Sequence, residues 1–524
     1  MRNVRRLFLL ACAASLVVNG ILHGQGPGAW FGLALPPGLG DPHKPVVPMA
    51  AVAGIGTVLR ARVPSGEGVF RELQGATIKR DVETIVGFSK QSRAAGNKVW
   101  GRVTGFPSAV ATMSWVAEQL TAAGLSNVLV QQYEGTAPFW WAKTWEVRLL
   151  GDASFGAGSR DVVLESAIPV SGSQIPGGML SAPLVYVGPT TDAALPDVDV
   201  KGKIAVQHLK PASGAYSERT RTVERARELT KRGAVAVLNV VEQTGNMHVR
   251  DFGNCGAPCF NLGGADGKFV EAAIQKAGAA GKGGALRLQL RLEAEIMTGL
   301  KGQNAMGVVP GRSGADGENI IVNAHADGWF DAAGDNADGL AVLLAMARHF
   351  MKPENQPERT LVFVASGGHH SPGLNGPANF VRMNPALTGK TELVLNLEHI
   401  AQFSIRSSTW TVEPDEQVMS FGISNESPAL IDIGKRGVER YGFNLNPTFS
   451  SGVPGDLGGY QPLGVARVQA IHSGPMYHTT GDVADTISAP GLERAARFFS
   501  FFVTEAAKTP REQINPQRRT ADQR

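Results

Sequence analysis

The chain has 524 residues, enough for two or three domains. Its 43% apolar and 18% charged residues make an ordinary globular balance with ample core, which excludes a disordered or fibrous class. The formal net charge is +4, of which Arg2, Arg5 and Arg6 supply three, and no basic block with interleaved aromatics follows, so no nucleic-acid partner is expected.

The N-terminus reads MRNVRR, then LFLLACAASLVV, then small and polar residues. A basic start, a short apolar run and small residues predict a signal peptide over 1–25 and an exported, periplasmic or secreted protein. The apolar run is short for a membrane span; an uncleaved anchor is the alternative. Residues 26–70 form a Pro/Gly-rich arm. Helical periodicity begins at Gly75, and Val110 to Leu125 reads as an amphipathic helix ahead of a strand at Val128-Leu129-Val130. Trp140, Trp141 and Trp145 read as core or interface aromatics. The segment 71–170 is taken as the N-terminal part of the main domain, and 171–295 as a small β-rich insertion with a basic helix at Thr222 to Arg232 and an apolar strand at Ala234 to Val241. Within it, Cys255 and Cys259 in GNCGAPCFN are close enough to close a small loop; a disulfide is expected in an oxidising compartment, with two free thiols as the alternative.

From Asn304 strands and helices alternate. Strands are expected at Ile320–Val322, Leu361–Ala365, Leu393–Leu397 and Val465–Ile471, and a last helix from Pro490 carries Leu492, Ala495, Phe498, Phe499 and Phe502 on one side. This alternation over 296–506 predicts an α/β fold, a mainly parallel mixed sheet flanked by helices. The polar tail 507–524 is expected to be disordered.

Titratable groups recur where these strands end. His325, Asp327, Asp331, Asp335 and Asp338 fill the loop NAHADGWFDAAGDNADG after the first strand. His369 and His370 follow the second in GGHHSPG, Glu398 closes the third, and His478 follows the fourth in MYHTTGD. Sites in open α/β sheets form at the carboxyl ends of strands. Imidazoles and carboxylates gathered there suggest a divalent metal, most plausibly zinc.

At these positions the chain resembles the co-catalytic zinc exopeptidase family of bacterial leucyl aminopeptidases and glutamate carboxypeptidase. That pattern runs His-x-Asp, a bridging Asp in a Gly-Asp-Asn loop, Glu-Glu, Asp or Glu, then Tyr-His. His325-Ala326-Asp327, Gly334-Asp335-Asn336, Asn396-Leu397-Glu398 and Tyr477-His478 match it in order. The resemblance spans most of 75–505 and implies that the insertion is a protease-associated domain. It also implies a zinc centre of one or two ions acting on a peptide substrate. One ion would be held by His325, Asp335 and Glu398, the other by Asp335, the second member of the Glu-Glu pair and His478. Asp327 would accept a hydrogen bond from His325 and fix its ring.

The Glu-Glu pair itself is absent. In one register His369 stands for the general base and His370 for the ligand; in the other His370 stands for the base and Ser371 for the ligand. The first keeps a workable site, because a neutral imidazole ligates zinc and a second one accepts a proton. Losing two carboxylate charges weakens the hold on the second ion. The expected function is an exported aminopeptidase-type metallopeptidase with His in place of the usual Glu base. The alternatives are a non-catalytic metal- or peptide-binding member of the same fold and a one-metal acyltransferase resembling glutaminyl cyclases.

Overall fold

The computed structural model describes residues 28–40, 68–191, 194–209, 216–242, 245–250, 255–312, 317–406, 411–472, 474 and 476–517. The expected signal segment 1–25 and the end of the tail lie outside the described residues.

An eight-stranded mixed sheet forms the centre of the main domain. Its order is Leu445–Ser450, Met419–Ile423, Ala466–Ile471, Thr391–Leu397, Asn319–His325, Thr360–Ser366, Lys301–Val309 and Ser126–Glu134. The four expected strands are its parallel core. Strands 319–325, 360–366 and 391–397 are buried along their whole length. Sequence explains this: both phases of their alternation are apolar, as strands covered on two faces require. Ile320, Val322, Phe363 and Leu395 join the core with the buried helix Asp338–Phe350 and the flanking helices Gly75–Ala94 and Ala489–Lys508. Ile321, Val362, Val364 and Val394 point the other way, onto Phe380, Leu457 and Tyr460.

The second unit is larger than the sequence suggested. Its eight-stranded sheet includes Phe139–Leu149, Arg287–Met297, Met179–Pro189, Ile204–Leu209, Ala236–Val241 and Cys259–Leu262, with helices Tyr216–Lys231 and Gly264–Ala279. It therefore begins near Phe139 rather than 171. The tryptophan-rich stretch is itself a long strand, paired antiparallel with 287–297, and Trp140, Trp141 and Trp145 lie in this unit's core. Part of the arm docks here too: Trp30 is fully buried, packs on Phe155 and donates its indole N–H to the Arg160 carbonyl. Cys255 and Cys259 form a disulfide.

Order persists past 507, where the tail was expected to loosen. The last long helix runs to Lys508, a further turn spans Arg511–Ile514, and Ile514 is buried. Asn515 donates to Glu392 and accepts from the Ala466 amide. Arg511 pairs with Glu392, and Asn425 and Ser427 donate to the carbonyls of Ile514 and Gln513, so polar contacts as well as Ile514 pin this segment.

One buried cation ties the N-terminal part of the domain to the loop after strand 319–325. Arg102 is fully buried and donates to the carbonyls of Ala326, Asp331 and Ala332 and to the Ser89 hydroxyl at 2.8–3.0 Å. Its guanidinium fork spans three carbonyls that one ammonium cannot reach together. Arg102→Met takes the guanidinium from the buried Ala326 carbonyl and leaves Asp331 and Ala332 with only their Ser89 and Ala337 donors, and is expected to cost roughly 2–3 kcal/mol in urea unfolding. Arg102→Lys should recover only part of that loss.

Candidate metal centre

The parallel strands bring their carboxyl ends to one edge, and the chemistry collects there. His325 is the last residue of strand 319–325, His369 and His370 follow strand 360–366, Glu398 follows strand 391–397, and His478 lies beyond strand 466–471. Asp335 comes from the loop ahead of helix Asp338–Phe350.

The residues proposed as ligands from sequence gather around Asp335, three histidines directly and Glu398 through His325. Asp335 Oδ1 lies 3.2 Å from His325 Nε2, and its Oδ2 lies 3.2 Å from His370 Nε2 and 3.0 Å from His478 Nε2. Glu398 Oε1 is 3.9 Å from His325 Nε2. His370 lies in the site in either register: donors of Asp335, His370 and His478 lie within 4.8 Å of one another. Gly368 shapes this turn. Its φ is +80°, and a Cβ there would fall 1.2 Å from the Leu374 carbonyl oxygen, so no other residue can precede His369 with this backbone.

Asp327 acts differently from the expectation. His325 Nδ1–H donates to the Asp327 backbone carbonyl at 3.0 Å, and the carboxylate lies 3.8 Å away. The carboxylate instead accepts the backbone N–H groups of His369 and His370 at 3.2 and 3.0 Å. It thus holds the His-His turn, because two adjacent amides offer a better-placed charge-assisted pair than the ring does.

Several residues join that sequence reasoning passed over. His399 Nε2 lies 3.0 Å from Asp335 Oδ1. Asp456 accepts from His369 Nδ1 at 2.7 Å, with its other oxygen on Ser366 and Asn323. Asp482 accepts the amides of Gly334 and Asp335. Asp338 is fully buried and accepts the amides of Ile400 and Ala401, fixing the turn after Glu398. His399 obeyed the same strand-end rule that revealed Glu398. Asp456 carried no comparable signal, since it sits in a Gly-rich turn after no central strand.

The electrostatics follow from burial and crowding. Burial works against a charged His369, but Asp456 and Glu398 hold its imidazolium well above the ordinary range. Burial likewise opposes His399, and Asp335 lifts it to about 9. Burial prevails at His370, which falls to about 4 despite Asp335. Burial and the neighbouring Asp335 raise Asp482 to about 7. Asp335 is held well below the usual carboxylate range, the surrounding histidines outweighing its burial.

The donor set fits a divalent ion. His325 Nε2, Asp335 Oδ2 and His370 Nε2 are buried and make no hydrogen bond. Groups left this way cost ~1–3 kcal/mol each. They converge with imidazole and carboxylate chemistry suited to zinc. Above them opens a cleft of about 580 Å³. Its floor includes His369, His370 and His478, and its walls include Phe139, Trp140 and Arg250 of the second unit and Trp329 of the main domain. Arg250 stacks its guanidinium over Trp329 at 3.9 Å. Among the described residues, no acidic side chain lines this cleft.

In the metal-free protein His399 is protonated when folded at neutral pH and titrates near its ordinary 6.5 when unfolded. Its stabilising contribution is complete below pH 6.5 and is lost as pH rises through about 9, an interval worth about 3 kcal/mol. Urea titrations of metal-free protein should therefore show falling stability from pH 7 to 10. His399→Gln should flatten that part of the profile.

Residues 304–503 match Peptidase family M28. Among solved structures, the chain is similar to a peptidase M28 precursor from Shewanella amazonensis SB2B, 18% identical over 83% of this chain and 97% of that one, TM-score 0.60. It is also similar to a zinc aminopeptidase from Bacillus subtilis, 19% identical over 86% and 99%, TM-score 0.57. An aminopeptidase from Aneurinibacillus sp. strain AM-1 is 19% identical over 83% and 94%, TM-score 0.52. These likenesses show the fold. No curated protein matches the chain.

Proposed function

From a chain whose residues 304–503 form a peptidase family M28 domain, we propose an exported zinc aminopeptidase-type exopeptidase that uses histidine where the related pattern has glutamate. The observation that carries this reading is the convergence of His325, Asp335, His370, Glu398 and His478 at the strand ends, beneath a cleft. One ion would be held by His325, Asp335 and Glu398 and a second by Asp335, His370 and His478. Zinc bound there would supply Lewis acidity toward a peptide carbonyl and toward water.

The chain's own residues do the rest. Asp456 holds His369 Nδ1–H, so His369 Nε2 is the atom that takes and returns the proton. That carboxylate–imidazole pair orients the base as a glutamate would not need. With cations nearby, the imidazolium is disfavoured and Nε2 is free to accept. Asp327 keeps His369 and His370 on their respective sides of the turn. The cleft fits a short substrate, within the range of small-ligand pockets, and Phe139, Trp140 and Trp329 give it apolar walls. The names of the similar Bacillus subtilis and Aneurinibacillus proteins support an aminopeptidase direction. The sheet-containing second unit is read as a protease-associated domain, and the segment 1–25 as an export signal, which the Cys255–Cys259 disulfide supports.

Purified full-length protein should hydrolyse aminoacyl amides or short peptides, lose that activity to a chelator and regain it with zinc. A zinc-loaded preparation that cleaves no member of an aminoacyl and peptide library contradicts the reading and favours a binding protein on the same fold. His369→Ala should lower kcat by ~10²-fold or more with a smaller change in KM, as loss of a general base does. Asp456→Asn should lower kcat by ~10–100-fold and shift the acid limb of the pH–rate profile, since it orients the ring without touching substrate.

A further inference from the structure

The related pattern gives each ion three protein ligands, yet a fourth donor stands beside the first of them. His399 follows Glu398 directly, its residue is 7% exposed, and its φ is +55°, a conformation a histidine keeps only where its surroundings fix it. Those surroundings are present. Its backbone N–H donates to Asn336 Oδ1, and the next two amides are held by Asp338. Its Nδ1–H donates to the His472 carbonyl at 3.0 Å. That bond fixes the ring, placing Nε2 toward Asp335 Oδ1 at 3.0 Å and Glu398 Oε1 at 3.7 Å. A backbone carbonyl on the far nitrogen is the arrangement that orients metal-ligating histidines. His325 has the same one, through the Asp327 carbonyl.

We propose that His399 is a fourth protein ligand of the first ion, closing a site of His325, Asp335, Glu398 and His399, and that only the second ion, at His370 and His478, keeps a position open to substrate. The proposal rests on the metal-centre reading above. Two donors bound to one zinc at a tetrahedral angle stand ~3.3 Å apart. The four pairs measured here, His325 or His399 against Asp335 or Glu398, lie at 3.2, 3.9, 3.0 and 3.7 Å. His325, Glu398 and His399 also offer donors within 4.8 Å of one another. Access is unequal between the two sites. His370 and His478 line the cleft, whereas His325, Asp335, Glu398 and His399 do not. Four protein ligands make a closed zinc site, and three leave a position for chemistry. His325, Asp335, Glu398 and His399 would then form a closed site that holds the Asp335 loop, and His370 and His478 would hold an ion open to the cleft.

The test is metal binding by the full-length protein, read without activity. Zinc is titrated against a chromophoric chelator, and cobalt is used for visible absorption, in wild type, His399→Ala, His399→Gln and His370→Ala. Wild type should bind a tight first ion with the intense cobalt bands of four-coordination. His370→Ala should keep that ion and lose the weaker one. His399→Ala and His399→Gln should bind the first ion 100-fold or more weakly, with weaker cobalt bands, while remaining folded by circular dichroism. First-ion affinity and cobalt bands unchanged in either folded His399 variant would overturn the proposal and leave His399 as an ionic partner of Asp335. Wild type that binds no ion would overturn the metal-centre reading itself, which is a separate outcome.

Discussion

The Asp335 carboxylate is almost fully buried and faces four imidazoles, His325 and His399 on one oxygen and His370 and His478 on the other, each 3.0–3.2 Å away. Such a cluster has few stable states. Neutral imidazoles and a carboxylate this close and this deeply buried present lone pairs to one another. Either protons or cations must lie between them. The surrounding structure is shaped by that demand. Asp482 and the Arg102 clamp hold the Asp335 loop, Asp338 holds the turn carrying His399, and Asp327 holds the turn carrying His369 and His370.

Protons and metal ions therefore compete for one set of atoms. On the proposed reading, with histidines where the related pattern has glutamates, the centre would carry less negative charge than a carboxylate-rich site and would neutralise two dications less well, while its imidazoles would favour zinc-like metals. His369 adds an imidazole whose partner, Asp456, orients it in the way a carboxylate orients a catalytic histidine. On that reading one glutamate's role would be divided between a proton acceptor, His369, and a positioning carboxylate, Asp456, drawn from a distant turn.

The fold was largely legible because its central strands are apolar on both phases and end in titratable residues. Ile320 to Val322 and Leu393 to Leu397 could only be covered strands, and His325 and Glu398 marked the edge where they stop. The second unit was harder. Its strand Phe139 to Leu149 mixes tryptophans with charged residues and pairs with a strand about 140 residues later, a partnership no local pattern reveals. In the site, strand ends and the family resemblance pointed to His325, Asp335, His370, Glu398 and His478, which the fold gathers at one edge of the sheet. What they missed acts through tertiary contact: Asp456 and Asp482 come from loops, and Arg250 reaches the cleft from the other unit. Asp327 was recognised as a participant, but only the folded backbone shows that its carbonyl serves His325 while its carboxylate serves the His-His turn.

The central claim is that cations, rather than protons, join these groups around Asp335. Crystals of the full-length protein grown with zinc, measured on both sides of the zinc absorption edge, test it most directly. The account predicts anomalous peaks on the two sides of the Asp335 carboxylate, the stronger toward His325, Glu398 and His399 and the weaker toward His370 and His478. Anomalous maps without a peak at Asp335, at a zinc concentration that fills exposed histidine sites elsewhere on the molecule, would contradict it.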